Sequence, residues 1–166
     1  MTEMASANSH LPALSAPHER EGLGHELQAA LVELINLALI GKQLHWAVTG
    51  PHFRPLHLQL DELVDSWHEL ADAVAERAVA LGFVPDGQVQ TVAAESQLER
   101  VAQGSLEDRV VVREVTRRLA DVSERVRDQM NRLGEVDLAS QDVLIEVVRE
   151  LEKQQWMLRV QLEERA

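Results

Sequence analysis

The chain has no cysteine, which excludes disulfides, thiolate metal sites and cysteine nucleophiles. Tyrosine is also absent, and phenylalanine occurs only twice. No run of 18 apolar residues exists, so no segment is expected to span a membrane. The N-terminus, MTEMASANSHLPALSAPHE, lacks the basic start and apolar stretch of a secretory leader, so a cytoplasmic protein is expected. Lysine is nearly missing, with only Lys42 and Lys153. At a net charge of −12, nucleic acid makes a poor primary ligand, because phosphate contacts need Lys and Arg. The 14 arginines are mostly interleaved with acids at helical spacing, as on solvated helix faces. An acidic balance instead suits a protein that gathers cations.

What is present is helix-forming: Leu, Val, Ala, Glu, Gln and Arg dominate 166 residues, enough for one domain with a substantial core. Residues 1–21 hold two prolines and no periodicity, and read as a flexible N-terminal tail ahead of a bundle spanning 22–164. From Gly22 a helical period runs through Leu23, Leu27, Leu31, Leu34 and Leu37 to about His45 or Val48. TGPHFRP then breaks the chain, and a second helix is predicted from Phe53 to about Leu81. The stretch 88–104 is a connection with a short helix expected around SQLERVAQ. Ser105 with Asp108 resembles a capping box for a third helix over 106–133. Ser140 is the expected cap of a fourth helix reaching Glu163. Four long helices with one long crossover, carrying a short helix between the second and third, describe an all-α, ferritin-like four-helix bundle.

The second helix carries a stripe of chemistry. With Trp67 as origin, its apolar side chains fall within roughly 60° either way, at ~100° per residue. His57, Asp61, His68, Asp72 and Glu76 fall at roughly 80° to 180°, beside the core face and separate from it. His57 with Asp61, and Asp72 with Glu76, are pairs four apart on one face. The outer residues, 57 and 76, and the inner ones, 61 and 72, are centred on the same point, midway between Ser66 and Trp67. On one helix the two pairs lie ~16 Å or more apart, at ~1.5 Å per residue, too far to share an ion. An identical helix packed antiparallel about that midpoint would bring them together. That is the geometry of a metal site that needs a dimer. Carboxylates with neutral imidazole suit Fe(II), and carboxylates also stabilise Fe(III). His45 joins from the end of the first helix, which the turn folds back alongside the second. The competing reading of the stripe is an ordinary solvated acidic surface.

Other residues have simpler readings. Trp46 is expected to pack, with a redox role beside iron as the alternative. Asp65 and His68 imitate half of a di-iron carboxylate–histidine motif, but no true Glu-x-x-His exists, so an intra-subunit di-iron centre is not expected. His68 retains an accessory role as an option, being near the midpoint. His10 and His18 fall in the tail and His52 in the turn, and are read as solvated or turn residues.

Residues 44–87, LHWAVTGPHFRPLHLQLDELVDSWHELADAVAERAVALGFVPDG, closely resemble the signature of Dps proteins, the miniferritins named for DNA protection in starved cells. LIEVVRELEKQQWMLRVQL at 144–162 resembles their final helix, and the likeness covers nearly all of 22–164. The resemblance implies a ferroxidase centre at a two-fold interface, with His45, His57 and Asp61 from one subunit and Asp72 and Glu76 from its mate. It further implies a homo-dodecamer, built from two-fold dimers, that oxidises Fe(II) with hydrogen peroxide or oxygen. The shell would store ferric mineral and suppress hydroxyl radicals. Acidic residues at the start of the last helix line iron pores in this family, which points to Asp142 and Glu146. The alternative for that pair is ordinary first-turn acids favoured by the helix dipole.

The resemblance weakens at DNA. Dps proteins that bind DNA commonly use lysine-rich N-terminal tails or basic C-terminal extensions. Here the first 21 residues hold Arg20 alone among Lys and Arg, against Glu3, Glu19 and Glu21, and DNA binding is expected to be weak or absent. The competing functions are a DNA-compacting nucleoid protein with a minor or vestigial ferroxidase site, and a purely structural helical oligomer.

Overall fold

The computed structural model describes residues 17–163, with side chains from residue 21 onward. Most of the predicted tail lies outside these residues, as do His10 and the His18 side chain. The described chain forms α1 (Pro17–Ala47), α2 (Phe53–Ala80), α3 (Val89–Glu95), α4 (Asp108–Leu133) and α5 (Leu138–Val160). α1 starts ahead of Gly22, with Pro17 in the first turn, where a missing N–H forfeits no helical hydrogen bond.

α1 packs along α2, and α4 along α5. α1 also meets α4 and α2 meets α5, so the four long helices surround one core, as the sequence pattern requires. Leu27, Leu34, Leu44, Leu60, Trp67, Leu119, Leu144 and Leu151 are fully buried there. Each such side chain contributes about 1.5–3 kcal/mol on leaving water. Between Glu21 and Ala47, α1 is long and apolar enough by composition to cross a membrane. All of its leucines except the exposed Leu39 are instead buried in the bundle core. A Cβ at Gly41 would stand 2.5 Å from Trp67 and 2.7 Å from Val64, so glycine permits the close approach of α1 to α2. The Trp67 indole N–H donates to Gln154 Oε1 at 2.7 Å, which satisfies the polar edge of the buried ring.

Three local expectations are corrected. The crossover helix is Val89–Glu95, ahead of SQLERVAQ. Buried Glu33 is the reason: its carboxylate accepts from Ser96 Oγ at 3.1 Å and from the Gln97 N–H at 2.8 Å, holding the chain extended where a helix was expected. Arg125 Nη2 completes that cluster, 3.1 Å from Glu33.

The third long helix begins at Asp108, and Ser105 does not cap it. Asp108 turns its carboxylate across the fold, accepting the His52 N–H at 2.8 Å and the Arg109 N–H at 2.7 Å. The hydrogen bond from the His52 backbone outweighs burial and keeps this carboxyl below its ordinary pKa. The same junction holds a two-residue parallel pair, β1 (Val48–Thr49) with β2 (Leu106–Glu107). Gly50, at φ 115, makes the turn that follows β1. The His52 ring also lies within reach of Asp108, at 3.1 Å, consistent with a turn residue.

The third correction concerns α5. Its cap is Asp137, which accepts the Ser140 N–H at 3.0 Å, so Ser140 is the donor of the pair. Arg77 of α2 reaches the same carboxylate at 2.6 Å. Burial opposes ionisation of Asp137, but hydrogen bonds from Ser140 and Arg77 outweigh it and lower the pKa.

Candidate metal centre

The turn between α1 and α2 folds the last residues of α1 against the first turns of α2, and this is where the candidate donors collect. His45, in the last turn of α1, is buried. His57 and Asp61 project from successive turns of α2 and are half-buried. One donor atom from each of these three residues lies within 4.8 Å of the other two.

Backbone carbonyls fix the two imidazoles reciprocally. His45 Nδ1 lies 2.9 Å from the His57 carbonyl, and His57 Nδ1 lies 2.9 Å from the His45 carbonyl. A carbonyl only accepts, so each Nδ1 carries the proton and each Nε2 keeps its lone pair as a donor for a metal. The rings stack with centroids 3.5 Å apart, and the Phe53 ring packs 5.1 Å from His57. Two oriented imidazoles and a carboxylate form the donor set that suits Fe(II) with open coordination positions.

Lys42, one turn before His45, is a residue the sequence reading missed. Its Nζ lies 2.6 Å from Asp61 Oδ1. Asp61 also comes within 3.2 Å of His45 Nδ1. The hydrogen bond from Lys42 is the main reason the Asp61 carboxyl is held below its ordinary pKa, with the His45, Lys42 and His57 charges adding and burial opposing. Asp61 is therefore an anion ready for a cation, with an ammonium beside it in the meantime. The available signal was position: Lys42 is three residues from His45 on the same helix, the only lysine before residue 153.

Asp72 and Glu76 are not part of this cluster. Both are exposed on α2, and neither makes a hydrogen bond or ion pair among the described residues. They stand on the same helix as Asp61, ~16 Å and ~22 Å along its axis. Asp142 and Glu146 are exposed near the start of α5 and line a groove of about 990 Å³ with Ser66, Glu69, Arg149 and Lys153. Trp46 is 69% exposed, so it does not pack into this chain's core as expected. His68 is exposed beside a shallow recess that it shares with Asp72.

A family model described as a ferritin-like domain matches residues 25–166. DNA protection during starvation protein 2 of Deinococcus radiodurans is 34% identical over 137 residues, 82% of this chain. The DNA protection during starvation protein of Mycolicibacterium smegmatis is 33% identical over 139 residues, covering 82% of this chain and 75% of its own. This chain belongs to the Dps family of miniferritins. The solved structure of the Dps protein DpsA14 from Streptomyces coelicolor superposes with a TM-score of 0.88 at 33% identity, over 92% of this chain and 90% of that one. The chain spans 57% of the length of the Deinococcus relative. These relatives are named for DNA protection during starvation.

Proposed function

We infer that this Dps protein is a ferroxidase and iron store whose catalytic sites are each shared by two subunits. His45, His57 and Asp61 of one subunit, with Asp72 and Glu76 of the partner, bind Fe(II) as substrate. The observation that carries this reading is the paired spacing on α2. The three-donor cluster is complete at one end, and two carboxylates with no partner among the described residues stand at the mirror position of the same helix.

The chemistry follows from the donors. With the Nδ1 proton of each imidazole given to a carbonyl, Nε2 is the nitrogen through which each ring would bind Fe(II). The anionic carboxylates stabilise the ferric product over the ferrous substrate, which lowers the cost of oxidation. With hydrogen peroxide as oxidant, each of two Fe(II) ions gives up one electron and the O–O bond breaks. Two waters are consumed, and the products are two ferric oxyhydroxide units and four protons. Taking both electrons at one site leaves no free hydroxyl radical, which is how such a reaction protects the cell from oxidative damage. Oxygen is the alternative oxidant.

In this reading twelve subunits, built from two-fold dimers, enclose the mineral in the cytoplasm, and Asp142 and Glu146 guide iron inward. DNA binding is weak or absent, since Arg20 is alone among Lys and Arg in the first 21 residues. The deciding experiment is stopped-flow oxidation of Fe(II) by peroxide in H57A/D61A protein. A loss of at least about a hundredfold is expected, since even outer-shell partners of a metal site cost 10–100-fold. An unchanged rate in a correctly assembled variant rejects the assignment. A plasmid mobility shift that persists at moderate salt would reject the weak-DNA reading.

A further inference from the structure

The spacing rule that pairs His57 with the partner's Glu76 and Asp61 with the partner's Asp72 has a third member. Asp65 and His68 are centred on the same midpoint between Ser66 and Trp67. They are the pair nearest to it, so under the shared-site reading they stand at the middle of the α2–α2 contact. We propose that Asp65 and His68 of one subunit, with Asp65 and His68 of the partner, form a further metal site on the two-fold axis, of the kind that takes a divalent zinc-like cation. This inference rests on the two-fold pairing proposed above and adds a separate site to it.

Four observations support it. Both side chains are exposed, and neither makes a hydrogen bond or ion pair among the described residues. They lie on the exposed stripe of α2, beside the face that buries Leu60, Leu63, Val64 and Trp67. They are three residues apart, so they share a face one turn long. The two-fold operation then sets two imidazoles and two carboxylates around one axis, with each Asp65 level with the partner's His68. Helices pack 8–10 Å apart in general. A separation that admits a metal between the 57/61 and 72/76 pairs on either side admits one at the centre of the same contact. Two nitrogen and two oxygen donors match the four-coordinate preference of Zn²⁺. The position lies about seven to eight residues along α2 from the centre of each iron site, ~11 Å at ~1.5 Å per residue, so the donors are distinct from those of the iron sites.

The test is zinc titration of full-length protein carrying H57A/D61A, which removes iron-site donors. The expected result is about one Zn²⁺ per two chains, lost when D65A/H68A is added. In the otherwise unaltered protein, D65A/H68A is expected to lower zinc content by the same amount while leaving peroxide-dependent Fe(II) oxidation within about twofold. A separate variant, His68→Cys, checks the pairing itself. Positions 68 of the two helices would lie only ~4.5 Å apart along the axis. The chain has no other cysteine, so a dimer formed with a short thiol-to-thiol bismaleimide, which spans more than a disulfide can, reports that contact alone. Cross-linking without the zinc equivalent overturns this site and leaves the shared iron site standing. Absence of cross-linking overturns the two-fold pairing, and this site with it.

Discussion

The two ends of α2 carry similar donors in opposite states. At the N-terminal end, Asp61 is held by Lys42 at 2.6 Å, and His57 is locked to the His45 carbonyl at 2.9 Å. At the C-terminal end, Asp72 and Glu76 have no partner among the described residues, although Arg77, next in sequence to Glu76, is engaged with Asp137 at 2.6 Å. On the proposed reading, one chain encodes half of a site completely and leaves the other half to assembly. Side chains that touch α1 or α5 are organised by the fold itself. Those on the remaining face would be organised by a second copy.

The strongest way to break this comparison is to divide the halves between chains. H57A/D61A protein and D72A/E76A protein should each be inactive in rapid Fe(II) oxidation. Mixed in one assembly, each unlike pair regains one intact site, because one chain supplies the histidine end and the other the carboxylate end. With equal, random mixing, about a quarter of the parent activity is expected, as a two-fold contact repeats each site twice. Stopped-flow measurement on co-expressed, differently tagged chains reads this directly. Inactive mixtures would mean that each site is built within one subunit.

A smaller effect separates Arg77 from its neighbour Glu76. Asp137→Ala removes both the α5 cap and the Arg77 contact, and should cost about 1–2 kcal/mol in urea unfolding. The pH dependence follows from the sign of the shift. The Asp137 carboxyl has a lowered pKa in the fold, so its stabilisation is complete above the ordinary unfolded Asp value and fades as pH falls through the lowered one. The variant should therefore lose part of the parent's stability difference between neutral and acid pH. A parallel pH profile would show that the cap contributes nothing.

Next in size is Lys42→Met. The substitution removes an ammonium that an incoming cation must displace from Asp61. Co²⁺ affinity at the centre should rise a few-fold, on the scale of an exposed ion pair. A weaker affinity would show that Lys42 positions Asp61 for the metal.

The long helices were legible because a 3.6-residue apolar period needs only local sequence, and α2 matches its expected limits of Phe53 and about Leu81 closely. The pairing of His45 with His57 and Asp61 was legible for a similar reason: a short turn forces α1 and α2 side by side. What was not legible depends on distant partners. Ser96 and Gln97 leave the helix because Glu33, more than sixty residues earlier, takes their donors. Asp108 abandons the expected capping box because the His52 N–H offers a partner across the fold. Asp137 is different, since an aspartate directly before a helix is a readable cap and Ser140 drew attention away from it.

The smallest effect tests the comparison from its empty side. If Asp72 and Glu76 serve only a site completed by another subunit, neutralising them should leave the isolated fold untouched. D72N/E76Q removes two negative charges and no hydrogen bond or ion pair of the described chain, so stability should change by no more than about 0.5 kcal/mol. The sign, if measurable, should be favourable, because the chain carries −12 and its self-repulsion falls. The same variant should still lose rapid iron oxidation. Intact stability with lost activity is the signature of residues kept for a partner. Matching losses of both would instead make these carboxylates part of the fold, and the contrast between the two ends of α2 would disappear.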